Sequence, residues 1–421
     1  MLTRVLERRI DADIRLPPSM GFPPLPISAW SAVNALGATT QDVLSALDEG
    51  RSGLRPPPFE LPFETMVGAV PGPLPPLPRE HDAYDCRLAR IGMLALADVS
   101  DAVERSVRRW GARRVAILLG TSTGGLDATE AAYRHFAREQ RLPEHFSLRT
   151  QHDFNALGEL YAKVTGIEGP VYVVSSACSS SGKVHASAAR MIRAGLVDAA
   201  LVGGVDSLCR MTLHGFHGLG ILSETACRPF AKDRSGINIG EGAALMMIER
   251  DASHQPSERP VWLLGVGESS DAYNMSSPEP GGRGAREAME RAMEQGGLRA
   301  DQIDYVNAHG TATPQNDLAE SIAIAGLFGD RVPVVSTKGY TGHLLGAAGG
   351  TEAVFAISAV RRGRIPRALG SEELDPELRI SVPAAGIETR VRRVLSNSFA
   401  FGGSNVCLAI GEPAGDGGAS S

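Results

Sequence analysis

The stretch VYVVSSACSSSGKVHASAARMIRAGLVDAALVGGVDSL, residues 171–208, decides the fold. It opens on a short β-branched run, VYVVSSA (171–177), turns at Cys178 into the alanine-rich segment SSSGKVHASAARMIRAGL, and closes on a second apolar run, ALVGGVDSL (200–208). Short apolar runs bounded by glycine or polar residues read as strands buried on both faces, and the weakly polar segment between them reads as a helix. Strand, helix and strand in that order form the unit of an α/β protein with a parallel-rich sheet.

Working outward, the same alternation continues. Upstream lie TTQDVLSALDEG (39–50), with Thr40 as N-cap and Gly50 as its end, the long helix CRLARIGMLALADVSDAVERSV and the strand VAILLG (115–120). A proline-rich stretch, RPPPFELPFETMVGAVPGPLPPLPRE, reads as a surface connection. Downstream come ALMMIER (244–250), then a restart at VWLLGVGESSD (261–271) followed by the helix GAREAMERAMEQGGL, strand IDYVNAH, helix DLAESIAIAGLF, strand VPVVST, helix GAAGGTEAVFAISAV and strands near RVLSNS and NVCLAIG. The chain thus divides into an arm over 1–24 carrying the proline-rich PPSMGFPPLP, one α/β half over 25–252, a second similar half over 253–412, and a low-complexity tail over 413–421.

The 421 residues are 43% hydrophobic and 21% charged, which is the make-up of a globular protein with a large core. A net charge of −6 argues against broad electrostatic binding to nucleic acid. Five widely spaced cysteines without a CxxC pair suggest neither a disulfide framework nor a zinc site and suit a reducing compartment. The first 20 residues are charged throughout, and no window reaches the roughly 20 apolar residues of a membrane span, so a cytoplasmic protein is expected.

Four clusters at strand ends carry candidate chemistry. Cys178 stands at a strand-to-helix turn, where a helix dipole and free N–H groups lower a thiol pKa; alone it could equally be a small buried hydrophobe. His309 lies in VNAHGTATPQND, where an apolar strand breaks into glycine, threonine and proline. His343 lies in STKGYTGHLLGAAGG, five residues after Lys338. The fourth cluster, SNSFAFGGSN, sets Phe399 and Phe401 before Gly402 and Gly403, whose N–H groups could complete an oxyanion hole or simply form a hairpin turn. Four such clusters in one chain favour a shared site over four separate structural accidents.

Together, SSACSSSG, CRPFAKDRSGINIGEGAA, VNAHGTATPQND, STKGYTGHLLGAAGG and NSFAFGGSN resemble the elongating β-ketoacyl-acyl-carrier-protein synthases of the thiolase-like superfamily, over residues 25–412. The resemblance implies a five-layered αβαβα fold of two pseudo-equivalent halves. It implies a decarboxylative Claisen condensation of an acyl chain on Cys178 with malonyl-carrier protein, in fatty acid or polyketide and aryl-polyene chain elongation. It places the nucleophile on Cys178, the catalytic histidines on His309 and His343, the lysine on Lys338 and the gating phenylalanine on Phe401. Glu320 takes the family's acidic position, with Asp317 a turn earlier, and Glu352 is a further buried glutamate. Lys338 and Glu320 are expected to set the protonation and orientation of the histidines, and Phe399 and Gly402 to flank the gate.

Phe216 and Thr123 are expected to line the acyl pocket. Thr123, in GTSTGGL, stands where housekeeping elongating synthases often place isoleucine, so pocket length or polarity should differ. YDCRLARIG and CSSSGKVHAS, with Lys183, look closer to specialised type II clusters, including the aryl-polyene kind. The family docks its carrier with basic residues, one of which corresponds to Gly220 here. No metal or resident cofactor is implied, because the phosphopantetheine arrives on the carrier. A homodimer is implied, or a heterodimer with a second synthase-like subunit.

Competing readings are weaker. A thiolase carries a second catalytic cysteine where FAFGGSN stands, and Cys407 beyond it reads as core. An initiating synthase pairs histidine with asparagine, and a Cys/His hydrolase leaves two histidines and Lys338 without a task. A pocket-shaping chain-length-factor subunit remains the alternative from another class, but such subunits usually lose the cysteine.

Overall fold

The computed structural model describes residues 23–254 and 258–413, so the expected arm and tail lie almost wholly outside the described residues. Ten strands carry the architecture: β1 Leu25–Asn34, β2 Val115–Gly120, β3 Val171–Val174, β4 Ala199–Asp206, β5 Gly242–Glu249, β6 Val261–Ser270, β7 Tyr305–Asn307, β8 Val334–Val335, β9 Arg393–Ala400 and β10 Ser404–Gly411. In space they run β8-β7-β9-β10-β6-β1-β5-β4-β2-β3. The first half therefore reads β3-β2-β4-β5-β1 and the second β8-β7-β9-β10-β6, which is one strand order used twice. The pairings repeat as well. β2 runs parallel to β3 and β4, as β7 does to β8 and β9, while β5 and β10 are antiparallel to both neighbours. The expected parallel-rich sheet is thus mixed, because the last strand of each half pairs antiparallel, reached through residues 207–241 in the first half and through the tight turn 401–403 in the second. The halves meet along a short antiparallel pairing of Leu25–Ile27 with Val261–Leu263.

The helices that matter here are α1 Arg87–Trp110, α2 Leu126–Glu139, α3 Ser180–Arg193, α4 Arg210–Gly218, α5 Arg283–Gln295, α6 Pro314–Phe328 and α7 Ala348–Arg362. Three cores arrange them in layers. Val184, Ala188 and Ile192 of α3 and Val354, Phe355 and Ile357 of α7 pack between Leu118 and Val202 of one half and Val394 and Val406 of the other. Outside the first sheet, Ile91, Leu96 and Val99 of α1 cover Ile117, Leu119 and Leu201. Outside the second, Ala288 and Met289 of α5 and Ile324 and Phe328 of α6 cover Val306, Leu395 and Cys407. The result is helix, sheet, helix, sheet, helix, the five layers expected.

The middle layer explains the glycine and alanine content of α3 and α7. A Cβ on Gly182 would meet Val406 at 2.5 Å, and one on Gly349 would meet the Ser398 hydroxyl at 2.6 Å. Small residues let both helices approach the second sheet closely, and residues 348–360 of α7 are buried all round. Truncating a side chain such as Phe355 there would cost about 3–5 kcal/mol.

Two local expectations shift. The first helix begins at Thr40 with Thr39 as its N-cap, the Thr39 hydroxyl accepting from the Asp42 N–H. β2 is buried throughout, but β3 is an outer strand with a free edge, and Tyr172 is 56% exposed.

Candidate active site

The expected site residues follow strand C-termini, where α/β sheets open a crevice. Cys178 comes after β3, His309 after β7, Lys338 and His343 after β8, and Phe401 after β9. Residues from both halves converge, since Cys178, His309, His343, Phe399 and Phe401 line one cavity of about 210 Å3.

Cys178 is presented by a tight elbow. Ala177 before it adopts a left-handed φ of +49°, a strained conformation for a residue with a side chain. Its carbonyl is held by the hydroxyls of Ser180 at 2.6 Å and Ser122 at 3.1 Å. The expectation of a lowered thiol pKa does not hold. Burial pushes the Cys178 thiol up to about 12, the Lys338 ammonium pulls it down, and Asp206 pushes it further up. Desolvation of a thiolate that is almost fully enclosed outweighs the helix end.

The two imidazoles stand edge to face, with ring centroids 5.2 Å apart at 84°. Nδ1 of His343 accepts the Leu345 N–H at 3.2 Å, so its proton sits on Nε2. That buried Nε2 has no protein partner among the described residues. Nδ1 of His309 faces the Lys338 ammonium at 3.4 Å, which can only donate, so His309 also carries its proton on Nε2. Burial, then the charge of Lys338, holds both rings well below the ordinary imidazole range. Both are therefore neutral donors at physiological pH.

Lys338 is enclosed and bonds the His309 carbonyl and the Glu352 carboxylate, each at 2.5 Å. Burial raises Glu352 to about 7 against the pull of Lys338. Glu320 acts on the orientation of His309, as expected, but through the backbone. Its two oxygens accept the backbone N–H groups of His309 and Gly310, each at 2.8 Å, and Asn397 donates to it at 3.0 Å. It shapes the turn that carries the imidazole and does not set the ring's proton; the lysine's acidic partner is Glu352. Asp317 likewise accepts from the N–H groups of Phe230 and Ala312, both left-handed at φ +63°.

Gly402 and Gly403 take φ of +82° and +72°, as a turn after two phenylalanines requires. Their N–H groups are spent on the carbonyls of Met275 and Ala400, which removes them from the oxyanion role considered for them. Phe399 lies 5.7 Å from the His309 ring and Phe401 lies 5.9 Å from Phe216. On the far side of Cys178 a second cavity of about 500 Å3 is lined by Ser122, Thr123, Leu126, Met211 and Phe216. Cys178, Phe216, Leu219 and Phe401 line both cavities, so the thiol and the Phe401 ring stand where the two meet. Thr123 and Phe216, the two residues expected in an acyl pocket, both line this cavity.

Sequence reasoning missed Asn397 and Asp206. Both are polar residues inside runs that otherwise read as buried strand, and that mismatch was the available signal. Among the described residues no group of three or more His, Cys, Asp or Glu side chains could hold a metal ion, and no helix is long and apolar enough to cross a membrane.

A mixed five-layered fold with a cysteine, two neutral histidines and a lysine at the meeting point of two repeated halves defines a condensing enzyme of the thiolase-like class. Residues 86–254 match the N-terminal domain of β-ketoacyl synthases and residues 262–372 their C-terminal domain. Nodulation protein E of Rhizobium meliloti (strain 1021) is 32% identical over 91% of this chain and 98% of its own. 3-Oxoacyl-[acyl-carrier-protein] synthase 2 of Staphylococcus aureus is 32% identical over 77% of this chain and 84% of its own. The solved ketosynthase ApeO, in complex with its chain length factor ApeC from Xenorhabdus doucetiae, superposes with a TM-score of 0.86 at 37% identity, covering 92% of this chain and 98% of that one. The ishigamide ketosynthase/chain length factor gives 0.85 at 28% identity, over 93% and 99%. The chain belongs to the β-ketoacyl synthase family, and it is a ketosynthase, an enzyme of the acyltransferase type that extends acyl chains.

Proposed function

We propose that Cys178 carries the growing acyl chain and that His309 and His343 stabilise the enolate of a malonyl-carrier protein. The observation that carries this reading is the pair of neutral Nε2–H donors converging with Cys178 on one cavity. In the first half-reaction the thiol sulfur attacks the carrier-bound thioester. The acyl group passes to Cys178 and the thiol proton leaves on the carrier's phosphopantetheine sulfur. The N–H groups of Cys178 and Phe401 hold the oxyanion of this step. In the second, malonyl loses carbon dioxide, and the electron pair left behind is held as an enolate whose oxygen accepts from both imidazoles. The enolate carbon attacks the Cys178 thioester, the Cys178–acyl bond breaks, and the leaving thiolate takes a proton from solvent water to restore the thiol. The chain leaves on the carrier as a β-ketoacyl thioester. Each charge that develops meets one of these groups, so the chain needs no resident cofactor or metal.

The acyl chain lies in the larger cavity, beyond Thr123 and Phe216, and the carrier's arm occupies the smaller. The chain works in the cytoplasm beside a second synthase-like subunit that covers the free edge of β3, where Tyr172 stands exposed. Its similarity to a ketosynthase solved with a chain length factor supports a heterodimer serving a specialised polyene or polyketide over a homodimer serving housekeeping fatty acids. Intact-protein mass spectrometry with acyl- and malonyl-carrier proteins, with and without co-expressed synthase-like partners, tests it. An acyl adduct that vanishes in Cys178→Ala is expected. No adduct with any primer or partner would make the chain a silent, pocket-shaping subunit instead.

A further inference from the structure

Asp206, the last residue of β4, is fully enclosed, and among the described residues the hydrogen bonds its carboxylate accepts come from one three-residue loop. The hydroxyls of Thr121 and Thr123 donate at 2.8 and 2.7 Å, and the N–H groups of Ser122 and Thr123 at 3.0 and 2.9 Å. That loop faces the reaction in two ways. Ser122 and Thr123 line the larger cavity beside Cys178. The Ser122 hydroxyl also donates to the carbonyl of Ala177, the left-handed residue of the elbow that presents the thiol.

The carboxylate reaches a third element as well. A Cβ on Gly346 would lie 2.7 Å from Asp206 Oδ2 and 2.7 Å from the Ser122 N–H, so the turn that follows His343 is seated directly on this pair. Only a residue without a side chain allows that seating. One carboxylate thus joins the cavity wall, the elbow of the nucleophile and the turn behind a histidine.

Resting on the reading of Cys178 as nucleophile, we infer that Asp206 is a positioning residue that anchors Thr123 as a rigid wall of the acyl cavity and seats the elbow of Cys178. The Thr123 hydroxyl is turned into the carboxylate, so what this position offers the chain is shape and not polarity. A wall held this way stays in place whether the cavity is empty or filled, and the enzyme admits a long chain without first displacing residue 123. The charge of Asp206 opposes that of Lys338 at the thiol, Glu352 acts in the same direction as Asp206, and the neutral His309 and His343 line the smaller cavity with Cys178.

The test compares Thr123→Val, Thr123→Ser and Asp206→Asn with the unaltered full chain. Kinetics with hexanoyl- and dodecanoyl-carrier protein read the wall, and the pH profile of Cys178 alkylation by iodoacetamide, followed by intact mass, reads the charge. Thr123→Val removes one hydroxyl at constant shape and should raise KM for the long primer severalfold more than for the short one. Thr123→Ser should restore the original ratio. Asp206→Asn should shift the alkylation midpoint downward. An unchanged ratio in Thr123→Val together with an unmoved midpoint in Asp206→Asn overturns the inference. If Asp206→Asn fails to fold, the valine and serine pair decides alone. Failure of the unaltered Cys178 to take up any acyl group would instead strike the nucleophile reading, and the alkylation profile would still report whether Asp206 couples to the thiol.

Discussion

The ammonium of Lys338 lies 2.5 Å from the carboxylate of Glu352, with both side chains almost fully removed from solvent. Breaking a buried pair leaves the remaining charge uncompensated, at a cost of about 3–5 kcal/mol. Glu352, already raised to about 7, can relieve its charge by taking up a proton once the lysine is gone. Lys338→Met should therefore destabilise the fold less at pH 6 than at pH 8. Urea midpoints at the two pH values measure this, and an equal loss at both would refute it.

The histidines make a second pH prediction. Their folded pKa values are depressed, so the unfolded chain binds protons near pH 6.5 while the folded site does not. Stability from this source is complete above about pH 6.5 and falls as the solution is acidified through and below it. In His343→Asn the acid limb of melting temperature against pH should be shallower than in the parent.

If His309 and His343 are the proposed enolate donors, removing either should also be felt in the chemistry. His309→Asn or His343→Asn is expected to slow malonyl decarboxylation by about 100-fold or more, while transfer of an acyl group to Cys178 persists at a reduced rate. Carbon dioxide release and adduct formation, measured on the same sample, separate the two. Equal losses in both would mean that the imidazoles serve the thiol and not the enolate.

Glu320 holds backbone, and its loss should look structural first. In Glu320→Ala the N–H groups of His309 and Gly310 lose a charged acceptor, at roughly 1–3 kcal/mol for each buried donor left unmade. A clear drop in the urea midpoint is expected alongside lost decarboxylation. A variant of full stability would show that the turn does not depend on this carboxylate.

Phe401 is only partly buried and borders both cavities. Phe401→Ala should barely move the melting temperature yet speed alkylation of Cys178 by a bulky maleimide severalfold. If the rate is unchanged, the ring does not limit access to the thiol.

The sequence was most readable where chemistry and backbone agree. Cys178, His309 and Lys338 each come just after an apolar run and before glycine or small residues, His343 lies five residues beyond Lys338, and the structure places each beyond a strand end. The apolar runs restart at Val261, which suggests two similar halves, but the order in which the strands pair is not legible there. What stayed hidden depends on contacts between distant segments. The thiol pKa of Cys178 was misjudged because the helix end is local while burial comes from both halves. Glu320 was placed beside its histidine, but a spacing of eleven residues cannot say whether a carboxylate meets a ring or a backbone. Tyr172 sits in a run that reads as core, and only the sheet order reveals that nothing pairs with its outer edge. Asp206 passes for the polar end of a strand until the Thr121–Thr123 loop folds over it.

The doubled strand order has a consequence for the life of the molecule. The thiol belongs to the first repeat, whereas the imidazoles, the lysine and Phe401 belong to the second, Phe401 lying just past the penultimate strand. Neither repeat contains a reaction centre of its own. A chain with only its first repeat folded would hold a sulfhydryl that lacks the second half's burial and has no imidazole beside it, so assembly of the whole sheet is what joins the thiol to its partners.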